Sequence, residues 1–256
     1  MSAGPRIVII GADTPRARAY AAAIERAGLG PMDGIFYGGL GPVQQAMAGE
    51  GRSLGTLWLP RLGSSVDDIF DRNAWPYRRL DAQGINDPAC IVALNGSGAQ
   101  LAIFAGRGGE IVSADVLSQG VPLLHMHPGR LPGQRGSTTL YYSILEGQPC
   151  SVSALLMSPK IDAGPVVACN SYPRPPHDVD VDVLYDCAIR ADTLLGVLRY
   201  LLLTGDLPET LQPGHEQDCL YFVIHPVLKH LALLALHEGQ ADEIPAQSRP
   251  AIQPEE

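Results

Sequence analysis

The chain is short of positive charge. Its 256 residues include 18 lysines and arginines against 27 aspartates and glutamates, which gives a formal net charge of −9. A surface that neutralises nucleic-acid phosphates is built from clustered lysines and arginines. This balance therefore argues against nucleic acid as a partner, while a small charged substrate stays compatible with it.

Cysteines and long apolar runs are also scarce. The five cysteines are odd in number and include no CxxC pair, which favours reduced thiols over a disulfide framework or a zinc knuckle. The longest apolar stretches, near 194–203 and 222–236, are interrupted by Arg199 and Lys229 and are too short to span a bilayer. The first residues lack the basic-then-apolar pattern of a signal peptide, so none is expected. We expect a cytoplasmic protein without membrane contact.

Apolar material is sufficient for one large domain, since 46% of the residues are hydrophobic. The β-branched run at 6–10 ends at a Gly-Ala-Asp turn, and a helical pattern follows from about Thr14 to Ala27. The turn is not GxGxxG, so the dinucleotide-binding fingerprint is missing. Further strands are predicted at 34–37, 101–105, 121–125, 151–157 and 165–170, and further helices at 42–49, 64–72, 87–95, 113–118, 137–146, 178–203 and 226–237.

Strands that alternate with helices predict an α/β fold that is Rossmann-like, with a mostly parallel twisted sheet flanked by helices. We expect one main domain over 1–205 and a helical C-terminal extension packed on it over 206–238. The polar, proline-containing tail at 239–256 is expected to be disordered. In such a sheet, ligands gather at the carboxyl ends of the strands.

Two histidines stand at the end of the strand predicted at 121–125. Residues i and i+2 of an extended segment face the same side, so His125 and His127 project together, and Pro128 keeps His127 extended. Paired imidazoles can bind a metal, donate hydrogen bonds to a developing oxyanion or move a proton near neutral pH. They can equally be hydrogen-bonded structural side chains.

A carboxylate follows in a turn between two predicted strands. Asp162, which precedes Ala-Gly-Pro, could accept a proton or orient a neighbouring imidazolium, and it could also cap its own turn. The Arg-Gly-Gly segment at 107–109 follows the strand at 101–105. Because the carboxyl ends of parallel strands share one edge, this segment and the histidines are expected to meet there.

The order of these residues resembles the folate-dependent formyltransferase family, which includes glycinamide ribonucleotide, methionyl-tRNA and amino-sugar formyltransferases. The resemblance covers about residues 99–170 and rests on two segments, His127-Pro128-x-x-Leu131-Pro132-x-x-Arg135-Gly136 and Ile161-Asp162-x-Gly164-Pro165. It implies the formyltransferase fold and the transfer of a formyl group from 10-formyltetrahydrofolate to an amine.

The family's catalytic triad is Asn, His and Asp, and the resemblance implies His127 and Asp162 as catalytic residues. His125 stands where the family has the asparagine, whose amide donates to the formyl oxygen. A histidine can replace this donor if its facing nitrogen carries a proton, and it adds a pH dependence if the imidazolium is required. An oxyanion donor is worth about 3–4 kcal/mol, so we expect His125 to be a catalytic residue. It is also the main departure of this sequence from the family pattern.

The binding residues are expected at the same sheet edge. We expect the folate donor to contact Arg107, Gly108, Gly109, Glu110 and Ile111, and the acceptor to contact Arg135, Gly136, Ser137 and Tyr141, where the tyrosine could also simply pack. No metal is expected.

The acceptor is expected to be a small amine, such as an amino sugar or an amino-acid derivative in a biosynthetic tailoring step. The segment after Asn170 is acidic and mainly helical without a basic run, which argues against tRNA. The apolar residues at 221–230 could pack on the domain or form the contact of a homodimer.

Two other classes stay open. Two histidines and a carboxylate are a ligand set for zinc or ferrous iron, so His125, His127 and Asp162 could hold a metal that activates water. A formyl-folate hydrolase without a metal is a related alternative. The third class is a non-catalytic protein that uses the same fold to bind a ligand.

Overall fold

A computed structural model describes residues 4–42, 44–210 and 219–238 of the chain. Its main sheet has seven strands, which in spatial order are β10 (Val166–Tyr172), β9 (Cys150–Leu156), β7 (Leu123–His127), β6 (Leu101–Ala105), β1 (Ile7–Gly11), β2 (Asp33–Tyr37) and β5 (Tyr77–Leu80). β7, β6, β1, β2 and β5 are parallel, whereas β9 pairs antiparallel with both β7 and β10. The predicted α/β fold with a mostly parallel sheet is confirmed.

Helices cover both faces of the sheet. They are α1 (Pro15–Ala27), α2 (Val66–Arg72), α3 (Pro88–Asn95), α4 (Ala114–Leu117), α5 (Thr139–Leu145), α6 (Asp186–Thr204) and α7 (Pro226–Glu238). Alternate residues of β1 show the division. Ile7 and Ile9 join a buried cluster with α1 and α6, while Val8 and Ile10 join a second cluster with α3 and α4. A strand that is apolar on both faces is typical of the centre of a parallel sheet.

Two small sheets complete the structure. β3 (Ser53–Leu54) and β4 (Leu57–Trp58) form an antiparallel pair, and β8 (Gln134–Gly136) pairs in parallel with β11 (Cys219–Tyr221). Thr138 also holds the C-terminal segment, because its hydroxyl donates to the Phe222 carbonyl and accepts from the Ile224 N–H. Thr138, which precedes α5, therefore binds the C-terminal segment and makes no side-chain hydrogen bond that caps its own helix.

The helix predicted at 42–49 is wrong. Residues 44–47 have no regular structure and 48–50 form a turn. Gly49 and Gly51 have φ angles of +92° and +78°, which interrupt a right-handed helix and are readily adopted only by glycine. The long helix predicted at 178–203 instead begins with a π-helical turn at Val181–Tyr185, which is followed by α6.

β5 was not predicted because its sequence, Tyr-Arg-Arg-Leu, has no apolar run and the strand lies at the sheet edge. β7 extends two residues beyond the predicted end of its strand, so both histidines lie within it. Among the helices in the described ranges, none combines the length and apolar character that a bilayer crossing requires. The predicted tail at 239–256 lies outside the described residues, and the domain boundaries stay predictions.

Candidate active site

A cavity of about 520 Å³ opens at the carboxyl ends of β6 and β7. Its wall includes the segment after β6, the two histidines of β7, the start of α5, and residues from α1 and α6. Thirteen of its lining residues carry the site described below: Arg16, Arg107, Gly108, Gly109, Glu110, Ile111, His125, His127, Gly136, Ser137, Tyr141, Asp162 and Arg190. The sheet edge predicted to bind a ligand is therefore the one that holds this cavity.

The alternation of β7 directs both imidazoles into the cavity. Met126 is fully buried in the hydrophobic core, and His125 and His127 on either side of it line the cavity. This is the period-two geometry of a strand. The pair of histidines therefore meets Asp162 across the cavity wall.

His127 and Asp162 form a buried pair. The Nδ1 atom of His127 lies 3.4 Å from Oδ1 of Asp162, and their side chains are 2% and 11% exposed. The Nε2 atom lies 2.6 Å from the Gln134 carbonyl oxygen. Because a carbonyl only accepts, Nε2 carries a proton, and in the neutral ring the free Nδ1 lone pair faces the carboxylate. The pair is therefore arranged to take up a proton at Nδ1.

Burial lowers the pKa of His127, and the facing Asp162 carboxylate acts in the opposite direction by stabilising the imidazolium. The net shift is downward, so the ring is neutral at pH 7 and free to accept a proton. This is the arrangement of an imidazole base that a carboxylate supports once it is charged.

The turn that carries Asp162 is fixed from two directions. Asp162 has a φ of +50°, a conformation uncommon for a non-glycine residue. Its Oδ2 atom accepts from the Gly136 N–H at 2.9 Å. The Arg135 guanidinium donates to the Ile161 carbonyl at 2.6 Å. The loop after β7 therefore positions the carboxylate that faces His127.

His125 occupies a more cationic environment. Its Nδ1 atom is buried and has no hydrogen-bond partner among the described residues. Burial, and then the nearby charges of Arg16 and Arg190, lower the pKa of His125 well below its usual value. His125 is therefore a neutral imidazole at pH 7 with one ring nitrogen available to a ligand.

Sequence reasoning missed the charged residues behind His125. Arg190 donates from Nη1 to the Met126 carbonyl at 2.6 Å, and its Nε lies 2.8 Å from the Asp186 carboxylate one helical turn earlier. Arg16, in the first turn of α1, lines the same wall. Its place at the start of the helix after β1 was the signal, because the end of β1 shares the sheet edge of the histidines. The sequence of α6 carried no comparable signal for Arg190.

The segment after β6 is ordered by Glu110. Its carboxylate accepts from the Tyr37 hydroxyl, from the Ile85 N–H at 2.8 Å and from the Arg107 N–H at 2.9 Å. The Arg107 side chain lies over the Tyr37 ring and donates to the Gln83 carbonyl. All five residues predicted to contact the folate line the cavity.

Not all of the residues predicted to contact the acceptor line the cavity. Gly136, Ser137 and Tyr141 line the cavity, whereas Arg135 is absent from its wall and holds the Asp162 turn. The Tyr141 hydroxyl donates to Asp182 at 2.6 Å, so the tyrosine presents mainly its ring.

Residues 220–223 of the C-terminal segment were not predicted as site residues, yet they line the cavity beside Tyr141. Lys229 and His225 lie in the segment that follows, and each has a partner within the described structure. Lys229 pairs with Asp182, and His225 accepts from the Val227 N–H. Lys229 therefore bonds to the π-helical turn, and His225 bonds within its own segment.

The three ionisable side chains are also close enough to share a cation. One ligand atom each from His125, His127 and Asp162 lies within 4.8 Å of the others. Two imidazoles and a carboxylate suit zinc or iron. Against a cation, the Arg16 and Arg190 charges act directly on His125, and their repulsion would weaken metal binding.

Known proteins resemble this chain in sequence and in fold. Methionyl-tRNA formyltransferase from Roseiflexus sp. is 33% identical over 101 residues, which make up 38% of this chain and 30% of that protein. The fold matches a sugar N-formyltransferase from Shewanella sp. with a TM-score of 0.55 at 15% identity, covering 90% of this chain and 87% of the other.

Glycinamide ribonucleotide transformylase 1 from Symbiobacterium toebii is a further structural match, with a TM-score of 0.52 at 16% identity, covering 79% of this chain and 88% of the other. No family model matches the chain. The alignment with the Roseiflexus sp. protein spans less than a third of that relative's length. The structural matches establish the fold of the described part of the chain.

Proposed function

Because this chain carries a domain of the formyltransferase family, we propose that it is an enzyme that transfers a formyl group from 10-formyltetrahydrofolate to the amine of a small molecule. The observation that carries the proposal is the His127–Asp162 pair, which faces the cavity beside His125 at the end of a central strand. The pair supplies a proton acceptor, and His125 supplies a polar nitrogen with no partner in the described structure.

The cavity fits a folate donor in size and in chemistry. Its volume of about 520 Å³ lies within the range of sites for drug-sized ligands. Residues 107–111 and the orphaned Nδ1 of His125 offer it backbone groups, a cation and a hydrogen-bonding nitrogen. When bound, the folate supplies the formyl group that the amine receives.

His125 would act as a neutral hydrogen-bond donor. A neutral imidazole keeps one N–H, which can donate to an oxygen that gains negative charge, as an amide N–H does. The low pKa of His125 means that this role does not depend on the imidazolium. Transfer would therefore not be lost as the pH rises above neutrality through the titration of His125.

His127 would receive the proton that an attacking amine loses. Its Nδ1 lone pair faces Asp162, and the carboxylate stabilises the imidazolium that forms. The Nε2–H donated to Gln134 fixes the ring orientation. The near-complete burial of His127 keeps bulk water away from this proton.

The acceptor would be a small amine, for example an amino sugar or an amino-acid derivative used in a biosynthetic tailoring step. Acidic composition supports this choice over tRNA. A cytoplasmic location fits the scattered reduced cysteines. The exposed apolar side chains of α7, such as Val227 and Leu231, would suit a homodimer contact.

Folate binding tests the donor. A stable 10-formyltetrahydrofolate analogue should raise the unfolding temperature of the protein, and the His127→Ala variant should still bind it. With the natural donor and a panel of amines, tetrahydrofolate should appear only when both substrates are present. No binding at millimolar analogue would overturn the proposal, and tetrahydrofolate release without an amine would instead indicate a formyl-folate hydrolase.

Metal-dependent hydrolysis is the second candidate function. It is favoured by one observation, the 4.8 Å clustering of the ligand atoms of His125, His127 and Asp162. In that case the three side chains would hold the metal, and the metal would supply a bound water for hydrolysis.

A further inference from the structure

We propose that Arg16 recognises an anionic group, a carboxylate or a phosphate, on the acceptor amine. The inference deepens the proposed function and depends on it for the identity of the ligand as an acceptor. It rests on the bonding of Arg16 and on the charges around it.

Arg16 lines the cavity, and its positive charge has no bonded partner in the described structure. It lies in the first turn of α1, and its Nε atom is buried without a partner. In the described part of the chain, Arg16 forms no hydrogen bond or ion pair. A guanidinium stays charged even when buried, and burying it without a partner costs free energy. A ligand that bonds to it would recover part of that cost.

Arg18 shows how the same helix treats an arginine with a structural role. Its guanidinium binds both Asp13 carboxylate oxygens, at 2.8 and 2.7 Å, and donates to the Leu62 carbonyl at 3.1 Å. Arg16 is only two residues away and has none of these contacts. Its position on the cavity wall is therefore better explained by a ligand than by support of the fold.

The charges behind His125 leave room for an anion. Arg16 and Arg190 both act on His125, and Asp186 is the carboxylate whose charge acts on both arginines. Asp186 is already paired with Arg190 at 2.8 Å. Two guanidinium groups thus share one carboxylate, and this part of the wall carries a net positive charge.

The other carboxylates of the cavity are also in use. Asp162 accepts from the Gly136 N–H and faces His127. Asp182 accepts from the Tyr141 hydroxyl and pairs with Lys229. Glu110 accepts three hydrogen bonds from its own side of the cavity. The missing negative charge is therefore most readily supplied by the ligand.

The position of Arg16 assigns the anion to the acceptor. The segment expected to contact the folate has its own cation, Arg107, and follows β6. Arg16 lies in the first turn of α1, which follows β1, and its charge acts on His125, beside which the amine must react. An acceptor with an anionic group near its amine, such as an amino acid or a small phosphorylated amine, would place the anion at Arg16 and the amine beside His125.

Binding of simple anions tests the site without any formyl donor. Acetate and inorganic phosphate are titrated into the wild-type protein and into the Arg16→Gln variant by calorimetry at constant ionic strength. We expect saturable millimolar binding of at least one anion to the wild type, and at least tenfold weaker binding to Arg16→Gln. The anion that binds more tightly distinguishes a carboxylate from a phosphate.

Arg26→Gln is the matched control, because Arg26 is an exposed arginine in the last turn of the same helix. It removes the same charge and should leave anion binding within twofold of the wild type. Thermal unfolding of Arg16→Gln should occur at the wild-type temperature or above it, since no bond within the described fold is lost and a buried charge without a partner is removed.

Two results would overturn the inference: no saturable binding of either anion, or equal anion binding by the wild type and Arg16→Gln. Rates of formyl transfer to pairs of amines with and without an anionic group then test whether the site serves catalysis. Alanine is compared with alaninamide, and glucosamine 6-phosphate with glucosamine. Failure of folate binding with intact anion binding would reject the formyl transfer and retain the anion site.

Discussion

The Gly136 N–H donates to the Asp162 carboxylate at 2.9 Å, and the same carboxylate faces His127 at 3.4 Å. A backbone group of the loop after β7 therefore positions the acid of the His127–Asp162 pair, which we propose to be catalytic. Gly136 has a φ of +100°, and an added Cβ would lie 2.1 Å from the Tyr221 carbonyl oxygen. The loop, the C-terminal strand and the acid consequently depend on one glycine.

Gly136→Ala should destabilise the protein by about 1–3 kcal/mol, because alanine is strained at this φ and would displace β11. Chemical denaturation measures the change in the free energy of unfolding. The control is Gly196→Ala in α6, where an added Cβ meets no atom within 4 Å, and there a gain of about 0.5–1 kcal/mol is expected. Equal stability of the two variants would contradict the role of the Gly136 conformation.

Asp162→Asn should lower formyl transfer by roughly 100-fold or more, because the imidazolium at His127 loses its carboxylate. The same loss should lower the pKa of His127 further, since Asp162 is the main group that raises it. Steady-state kinetics and an NMR titration of the His127 ring measure the two effects. Unchanged transfer with a shifted pKa would remove Asp162 from the chemistry.

His125→Asn restores the side chain that the family carries at this position. We expect transfer within tenfold of the wild type, because a neutral imidazole N–H and an amide N–H are equivalent donors. His125→Leu removes the donor and should reduce kcat by about 100-fold to 1000-fold. If the asparagine variant is as inactive as the leucine variant, His125 has a role of its own beyond donating a hydrogen bond.

The two buried histidines should make the fold sensitive to acid. Both have lowered pKa values in the folded state, so the unfolded chain binds more protons once the pH falls below about 6.5. The two histidines therefore cost the folded state no stability above that pH. The free energy of unfolding decreases as the pH falls from there towards the folded pKa values. The loss is at most about 1.4 kcal/mol per pH unit for each histidine.

Denaturation of the wild type and of His125→Asn at pH 7 and at pH 5 measures this dependence. The variant should lose less stability between the two values, since one of the two titrating groups is gone. Equal losses in both proteins would show that His125 is not protonated on unfolding in this range.

Chelation separates the two candidate functions. Because Arg16 and Arg190 oppose a cation beside His125, we expect less than stoichiometric zinc or iron in the purified protein and full transfer activity after dialysis against a chelator. One equivalent of metal that is lost together with activity, and restored together with it, would favour the metallohydrolase.

The predictions that depended on local patterns were accurate. The helix predicted from about Thr14 to Ala27 coincides with α1, whose ends are set by the Thr14 cap and by Gly28, because capping and a left-handed C-terminal residue act within one turn. The run at 101–105 coincides with β6. Where the pattern was weak, as in the glycine-rich segment at 44–51 and the charged edge strand β5, the prediction failed.

The site itself was only partly predictable. The spacing of His125 and His127 fixed their common direction, and the family resemblance linked them to Asp162. The roles of Arg135 and Glu110 could not be inferred from spacing, because their bonds to Ile161, Tyr37 and Ile85 join residues distant in sequence.

The sequence by itself determined the α/β fold, the pairing of two imidazoles on one side of a strand, and the presence of histidine where the family has asparagine. These follow from periodicity and from residue identity, which are local. Only the tertiary structure buried His125 and placed Arg16 and Arg190 behind it, which lowers its pKa and keeps this histidine neutral. The charge state of a buried group depends on the burial and the charges that surround it, and those come from segments far apart in the chain.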